Sequence, residues 1–127
     1  FEEKLQVSMD VEDDLNCLVP SFILQTLVEN AVRYGADAKG MRTVSIQART
    51  IDDLVEISVS DKGPGIPKDM VIQLYSGEGR GGVGLKNVHR RLKSIYGEDG
   101  LKIETSAAGS RVWFRVPRSA EQDAENR

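Results

Sequence analysis

Alternating apolar and polar residues predict the strands of this chain. Leucine, valine and methionine alternate with polar residues over Lys4–Val11, a pattern typical of a half-buried strand. Two further strands are predicted at residues 43–50 and 54–60, joined by a tight turn. A last pair of strands is predicted at residues 101–106 and 111–117.

Spacings of three and four residues predict the helices. Residues 21–36 form the clearest one, residues 83–95 a second long one, and a short helix is expected near 68–75. The predicted core faces are Leu24, Leu27, Val28, Ala31 and Gly35 on the first helix, and Leu85, Val88, Leu92 and Ile95 on the second long one. Trp113 alternates with apolar residues in the last strand and is predicted to lie in the core. Paired strands separated by long helices predict an α+β fold, a two-layer sandwich.

Length and charge narrow the classes of function. The 127 residues suit one domain, to which we assign residues 1–117, and the polar stretch 118–127 is predicted to be a disordered tail. A net charge of −3 without a basic stripe argues against a nucleic-acid partner. No apolar run approaches the ~20 residues that span a bilayer, and no signal peptide is expected within these residues. The lone Cys17 excludes an internal disulfide, and because His89 is also the single histidine, no zinc site is expected.

The glycines indicate where a ligand would bind. Seven of the twelve fall between Gly63 and Gly84, yet no Walker-type phosphate loop is present. Glycine lets a backbone approach a ligand closely, and the last of these glycines run into a helix whose free N–H groups would face an anion. Asp61 ends the preceding strand, where its carboxylate can accept a hydrogen bond from an exocyclic amine such as that of adenine. The alternative is a turn-forming aspartate before a glycine, which is common.

One polar face of the first helix carries the other candidate residues. Asn30 offers a neutral oxygen that suits a magnesium ion whose other ligands are waters and phosphates. Arg33 can contact phosphate, and Tyr34 can stack on a base. A solvated helix face explains the same pattern equally well, and Glu29 stands four residues before Arg33, as in an ordinary helical ion pair.

Together these motifs resemble the ATP-binding catalytic domain of sensor histidine kinases, within the gyrase, chaperone, histidine-kinase and MutL ATPase superfamily. Residues 24–35 (LQTLVENAVRYG) are similar to its N box, and residues 61–66 (DKGPGI) to its first glycine box. Residues 82–85 (GVGL) resemble the second glycine box, and Gly109-Ser110 the last glycine/threonine position. The sequence of residues 84–92 (GLKNVHRRL), followed by Tyr96-Gly97, is similar to that of the autolysin-sensor, LytS-like subgroup.

The resemblance implies a Bergerat-type fold, a mixed sheet with helices on one face and ATP held beneath a flexible lid. Asp61 would then read the adenine amino group, and Asn30 would bind magnesium. The other implied cofactor-binding residues are Arg33, Tyr34, Gly63, Gly65, Ile66, Gly82, Gly84, Leu85 and Ser110. Relatives often carry an asparagine or an acid four residues before Asn30, whereas this chain has Thr26. A general base is therefore not evident there, and Glu29 is a catalytic candidate by proximity alone.

The resemblance also implies an incomplete enzyme. A kinase of this type transfers the γ-phosphoryl group of ATP to a histidine on a dimerisation domain, and this chain has only His89. We therefore expect that domain elsewhere in the same protein, a cognate response regulator as partner, and a cytoplasmic location within a membrane-anchored homodimer. The chain begins at Phe1 and is expected to be part of a longer protein. Two alternatives remain open, a serine/threonine kinase of the anti-sigma-factor type and a non-catalytic nucleotide-binding module.

Overall fold

The computed structural model describes residues 4–13, 17–76, 83–97 and 100–118. The elements are β1 (Lys4–Val11), α1 (Ser21–Tyr34), β2 (Met41–Ile51), β3 (Leu54–Asp61), α2 (Lys68–Ser76), α3 (Val83–Tyr96), β4 (Lys102–Ser106) and β5 (Gly109–Pro117). Every element predicted from the sequence is present, with bounds that differ by two residues at most. The predicted tail, 118–127, lies outside the described residues from position 119 onward.

The strands form one five-stranded sheet in the order β1-β2-β3-β5-β4. β1 runs parallel to β2, while the other neighbouring pairs are antiparallel, so the sheet is mixed. The buried side chains of the inner strands, which include Val44, Ile57 and Phe114, form one core cluster with those of the helices. The described helices therefore cover one face of the sheet, which confirms the α+β two-layer sandwich.

The core faces of the helices are close to those predicted, with two corrections. The buried apolar residues are Ile23, Leu27 and Ala31 on α1, Leu74 on α2, and Leu85, Val88 and Leu92 on α3. Ile23 was not predicted, and Leu24 and Val28 are only half-buried at the border of the core. Ile95, in the last turn of α3, was predicted to be core but is 41% exposed.

β1 was predicted to be half-buried, and that part of the prediction is wrong. Its apolar side chains are 48–67% exposed. They are in register with the covered residues of β2, as Val7 is with Val44 and Met9 with Ile46, so they lie on the helix-bearing side of the sheet. β1 is an edge strand, and the helices pack over the inner strands instead. An apolar strip is therefore left open beside α1.

Trp113 lies on the opposite, uncovered face of the sheet, which corrects its assignment to the core. Its neighbours Val112 and Phe114 point into the core, so strand alternation turns Trp113 outward. The Arg111 guanidinium lies 4.4 Å from the centre of the indole ring, a cation–π contact. Glu56 accepts hydrogen bonds from Arg111 at 2.5 Å and from Arg115 at 3.1 Å, so polar partners hold this aromatic residue at the surface.

Candidate functional site

The floor of the site is the end of β3. Asp61 accepts a hydrogen bond from the backbone N–H of Gly63 at 2.9 Å. Burial raises the pKa of Asp61 above its usual value, while hydrogen bonds from the backbone of Gly63 and Ser110 oppose that rise. The carboxylate is therefore partly dehydrated and strengthened as an acceptor, which is the environment needed to discriminate between donors on a ligand.

Close backbone approach seals one wall of the site. A Cβ atom on Gly63 would lie 2.6 Å from the Tyr34 carbonyl oxygen and 2.7 Å from the Cα of Gly35. No side chain fits at either distance, so Gly63 lets the end of α1 rest directly on the strand end that carries Asp61. The approach brings Tyr34 and Gly35 of the N box together with the first glycine box.

The β4–β5 hairpin forms the facing wall. Gly65 has φ +95, and a Cβ there would lie 2.8 Å from the Thr105 hydroxyl oxygen. The backbone N–H of Ile66 donates to that oxygen at 2.7 Å. Ser110, which is buried, lies 3.0 Å from the same hydroxyl and faces Asp61 in the β3–β5 register. The structure thus brings together four of the candidate residues named from the sequence: Asp61, Gly65, Ile66 and Ser110.

Thr105 is a residue of this wall that the sequence motifs do not indicate. It belongs to none of the motifs and stands in a strand assigned only by its apolar alternation. The hairpin register could have indicated Thr105, because a tight turn after Ser106 places Thr105 opposite Ser110. Two hydroxyl residues facing each other at the last glycine/threonine position form a recognisable cross-strand pair.

The beginning of α3 forms the far end of the site. A Cβ on Gly84 would lie 3.2 Å from the Thr26 methyl group, so the first turn of α3 is close to the middle of α1. Buried Leu85 anchors that turn in the core. Asn30 follows Thr26 by four residues and shares its side of α1. The α3 N-terminus, with its free N–H groups, therefore lies about one turn of α1 from Asn30.

Two predicted site residues lie at the exposed end of α1. The Arg33 guanidinium is 5.8 Å from the centre of the Tyr34 ring, and both side chains are exposed. From Thr26 to Gly35, α1 spans roughly 13 Å at ~1.5 Å per residue. The candidate site is therefore elongated, with Asp61 at one end and Gly84 towards the other. Gly82 and the predicted lid, residues 76–82, lie outside the described residues apart from Ser76.

The loop after α1 has a structural role. The carboxylate of Asp37 accepts hydrogen bonds from the backbone N–H groups of Lys39 at 2.8 Å and Met41 at 3.0 Å. Arg42 donates to the carbonyl oxygen of Val32 at 2.7 Å, which satisfies one of the free carbonyls at the helix end. These bonds fix where α1 ends relative to β2, and hence where Tyr34 lies.

Glu29 lies apart from this site. Its carboxylate accepts a hydrogen bond from the Gln25 amide at 3.0 Å and borders an apolar groove of about 520 Å³ on another side of α1. Its role as a general base stays a prediction that this placement does not favour. No group of three or more histidine, cysteine, aspartate or glutamate side chains that could hold a metal exists among the residues described.

Comparison with known proteins defines the class. Residues 20–120 match the family of histidine kinase-, DNA gyrase B- and HSP90-like ATPases. The fold is that of the catalytic domain of the histidine kinase ThkA, with a TM-score of 0.71 and 21% identity over 90% of this chain and 78% of that one. The chain therefore belongs to this ATPase family.

Relatives of closer sequence include a sensor histidine kinase and a sensor protein. The chain is 38% identical over 119 residues to the sensor histidine kinase YpdA of Escherichia coli, which covers 92% of the chain and 21% of that protein. It is 33% identical over 129 residues to the sensor protein LytS of Streptococcus agalactiae, covering 97% of the chain and 22% of that protein. The chain thus spans about a fifth of the length of these relatives. Within the described residues, no helix has the length and apolarity needed to cross a membrane.

Proposed function

We propose that this chain binds ATP and donates its γ-phosphoryl group to a histidine on a separate helical domain of the same protein. The observation that carries the proposal is the arrangement along α1. A half-buried acceptor, Asp61, lies against one end of the helix, and the N-terminal turn of α3 lies near its middle. Sensor histidine kinases among the sequence relatives support the kinase over the two alternative functions.

Asp61 is proposed to select adenine. Its carboxylate is held by the N–H of Gly63 and retains acceptor capacity for the exocyclic amine of the base. Guanine presents a carbonyl oxygen at that position, which cannot donate. Tyr34, exposed beside Gly63, is proposed to cover the base by stacking.

Asn30, Arg33 and the start of α3 are proposed to hold the phosphates. The α3 N-terminus offers backbone N–H donors and the positive end of a helix dipole. Asn30 supplies one neutral oxygen, which fits a magnesium ion that takes its other ligands from phosphate and water. Bound magnesium would neutralise phosphate charge, while the residues of this chain position the nucleotide.

His89 is not suited to be the phosphate acceptor. Its Nδ1 accepts a hydrogen bond from the backbone N–H of Leu101 at 2.9 Å, and its ring packs edge-on against Tyr75 with centroids 5.1 Å apart. Burial lowers the pKa of His89, and the positive charges of Lys93 and Lys102 lower it further. These contacts make it a structural residue of the α2–α3 region, so the acceptor must be supplied by another domain.

The open apolar surface beside α1 supports a helical partner. Val19, Leu24 and Val28 line the groove together with Ile57 of β3. In the sheet register Ile57 pairs with Ala48, and Ala48 with Val11, so the groove continues into the exposed strip of β1. Such a surface suits the apolar stripe of an amphipathic helix. We propose that the histidine-bearing dimerisation domain docks here. The full-length protein is proposed to be a membrane-anchored homodimer, whose phosphorylated histidine then serves a cognate response regulator.

The test is phosphotransfer in trans. The chain is incubated with radiolabelled ATP, magnesium and the separately produced histidine-bearing region of the same protein, and acid-labile phosphate is measured on each. We expect label on the helical region and none on the chain. Asn30→Ala should lose transfer while remaining folded, whereas Gln47→Ala, an amide on the uncovered sheet face, should behave as wild type. Stoichiometric labelling of His89, or full transfer by Asn30→Ala, would contradict the proposal.

A further inference from the structure

We infer that Thr105 is a positioning residue of the nucleotide pocket. Its hydroxyl group ties the segment that carries Gly65 and Ile66 to the β4–β5 hairpin, and so sets the distance between the two walls around Asp61. This inference rests on the nucleotide site proposed above and adds a residue outside every motif of that site.

The contacts form a continuous path. Ile66 donates its backbone N–H to the Thr105 hydroxyl oxygen at 2.7 Å, and that oxygen lies 3.0 Å from the hydroxyl of Ser110. Ser110 faces Asp61 across the β3–β5 register, and its backbone hydrogen-bonds the Asp61 carboxylate. The position of Ile66 is thereby linked to that of the adenine-reading carboxylate through two hydroxyl groups.

The segment needs such a tie because it has no regular structure of its own. Residues 62–67 lie between β3 and α2 and belong to neither helix nor strand. Gly65 holds φ +95 and packs on the hairpin, so the backbone reaches Thr105 only in a conformation that favours glycine. A hydrogen bond to a fixed strand holds the segment in this conformation before ligand binds, which removes part of the ordering cost of binding.

Thr105 is well suited to a clean test because it is exposed. Its side chain contributes little to the core, so removal of the hydroxyl changes hydrogen bonding more than packing. Thr105→Val keeps the shape but leaves the Ile66 N–H without its acceptor and Ser110 without its hydroxyl partner. Thr105→Ser keeps the hydroxyl and removes only a methyl group.

The experiment measures ATP affinity and local opening on the same variants. Calorimetry gives the Kd for ATP with magnesium, and hydrogen exchange followed by NMR gives the protection of the Ile66 amide. Thr105→Val should raise Kd about tenfold, since it removes both hydrogen bonds of the Thr105 hydroxyl, to the Ile66 N–H and to Ser110. It should also speed exchange at Ile66, while Thr105→Ser stays within about twofold of wild type. Thr50→Val, a threonine at the far end of β2, is the matched control.

The outcomes separate this inference from the function on which it rests. If wild type binds ATP and Thr105→Val binds equally well, the positioning role is wrong and the nucleotide site stands. Equal losses in Thr105→Val and Thr105→Ser would also overturn it, because the hydroxyl would then not be the active group. If wild type binds no ATP at all, the nucleotide site and this inference fall together. A globally destabilised Thr105→Val would show faster exchange throughout the core, and Thr105→Ser would then have to match wild-type affinity for the inference to hold.

Discussion

Exchange of the Asp61 carboxylate for an amide is the most direct perturbation of the proposed adenine pocket. Asp61→Asn preserves side-chain shape, and its remaining oxygen can still accept from the Gly63 N–H. The second position becomes an NH₂ group, which meets the exocyclic amine of adenine donor to donor. The change therefore removes the charge-assisted acceptor and leaves the close packing around Gly63 in place.

The expected loss follows from the energy of one hydrogen bond to a charged group. Such a bond contributes about 1.5–3 kcal/mol, and each ~1.4 kcal/mol corresponds to tenfold in Kd. Asp61→Asn should therefore weaken ATP binding by about 10- to 150-fold. Burial raises the pKa of Asp61, because the carboxylate is partly removed from water, and an acceptor in such surroundings makes stronger hydrogen bonds. By the same reasoning, wild type should prefer ATP over GTP by at least about tenfold.

Titration calorimetry with ATP and GTP, each with magnesium, measures both quantities. Asp10→Asn is the control, because Asp10 is an exposed β1 carboxylate whose contact with Arg49 is 3.5 Å long. That acid-to-amide exchange should leave Kd unchanged, since exposed pairs of this kind contribute little. If Asp61→Asn binds ATP within about twofold of wild type, or if wild type binds GTP as tightly as ATP, the assignment of Asp61 is refuted.

Three further predictions concern the fold and the partner. Gly63→Ala should lower the free energy of unfolding, measured in urea, by about 1–3 kcal/mol, because its Cβ would lie 2.6 Å from the Tyr34 carbonyl oxygen. Gly40→Ala is the control, since its Cβ would meet no atom within 4 Å, and it should show only the smaller cost of its φ of +79. The pKa of His89 is lowered in the folded state, so the unfolded chain takes up the proton first and stability should fall as pH drops below ~6.5; that slope should vanish in a His89→Gln variant. Met9→Glu, a change on a side chain that is 67% exposed, should weaken phosphotransfer to the histidine-bearing domain and leave ATP affinity intact, and unchanged transfer would remove β1 from the docking surface.

The helices and strands could be predicted from the sequence because the hydrophobic periodicity and the positions of the turn residues agree along the chain. Alternation located each strand, and three- and four-residue spacing located α1 and α3. Burial was harder, since it depends on what covers an element. The apolar residues of β1 looked like core, but β1 is an edge strand that the helices do not cover. Trp113 looked like core because its neighbours are apolar, whereas alternation turns it towards Arg111.

The sequence motifs indicate a candidate site, but they do not indicate the residues that hold its walls in place. Asp61 and the glycines stand out because close backbone approach restricts those positions to few residue types. Thr105 does not stand out, because a threonine in a strand is ordinary and its role arises only from the register that pairs it with Ser110. Glu29 was a candidate through its neighbour Asn30, yet adjacent helical residues point about 100° apart, and Glu29 borders the groove.

α1 is the physical connection between the two proposed surfaces. Its core side carries Ile23 and Leu27, and the groove is lined by Leu24 and Val28. Asn30 stands one turn after Thr26, the residue beside the start of α3. Contacts without spare room hold the helix at both ends of the site, since Gly35 packs against Asp61 and Thr26 lies against the first turn of α3. A packed helix shifts as a unit, because its neighbours resist local deformation. If the histidine-bearing domain docks in the groove as proposed, any shift of α1 that it causes would move Asn30 relative to the bound phosphates, and docking would then influence catalysis directly.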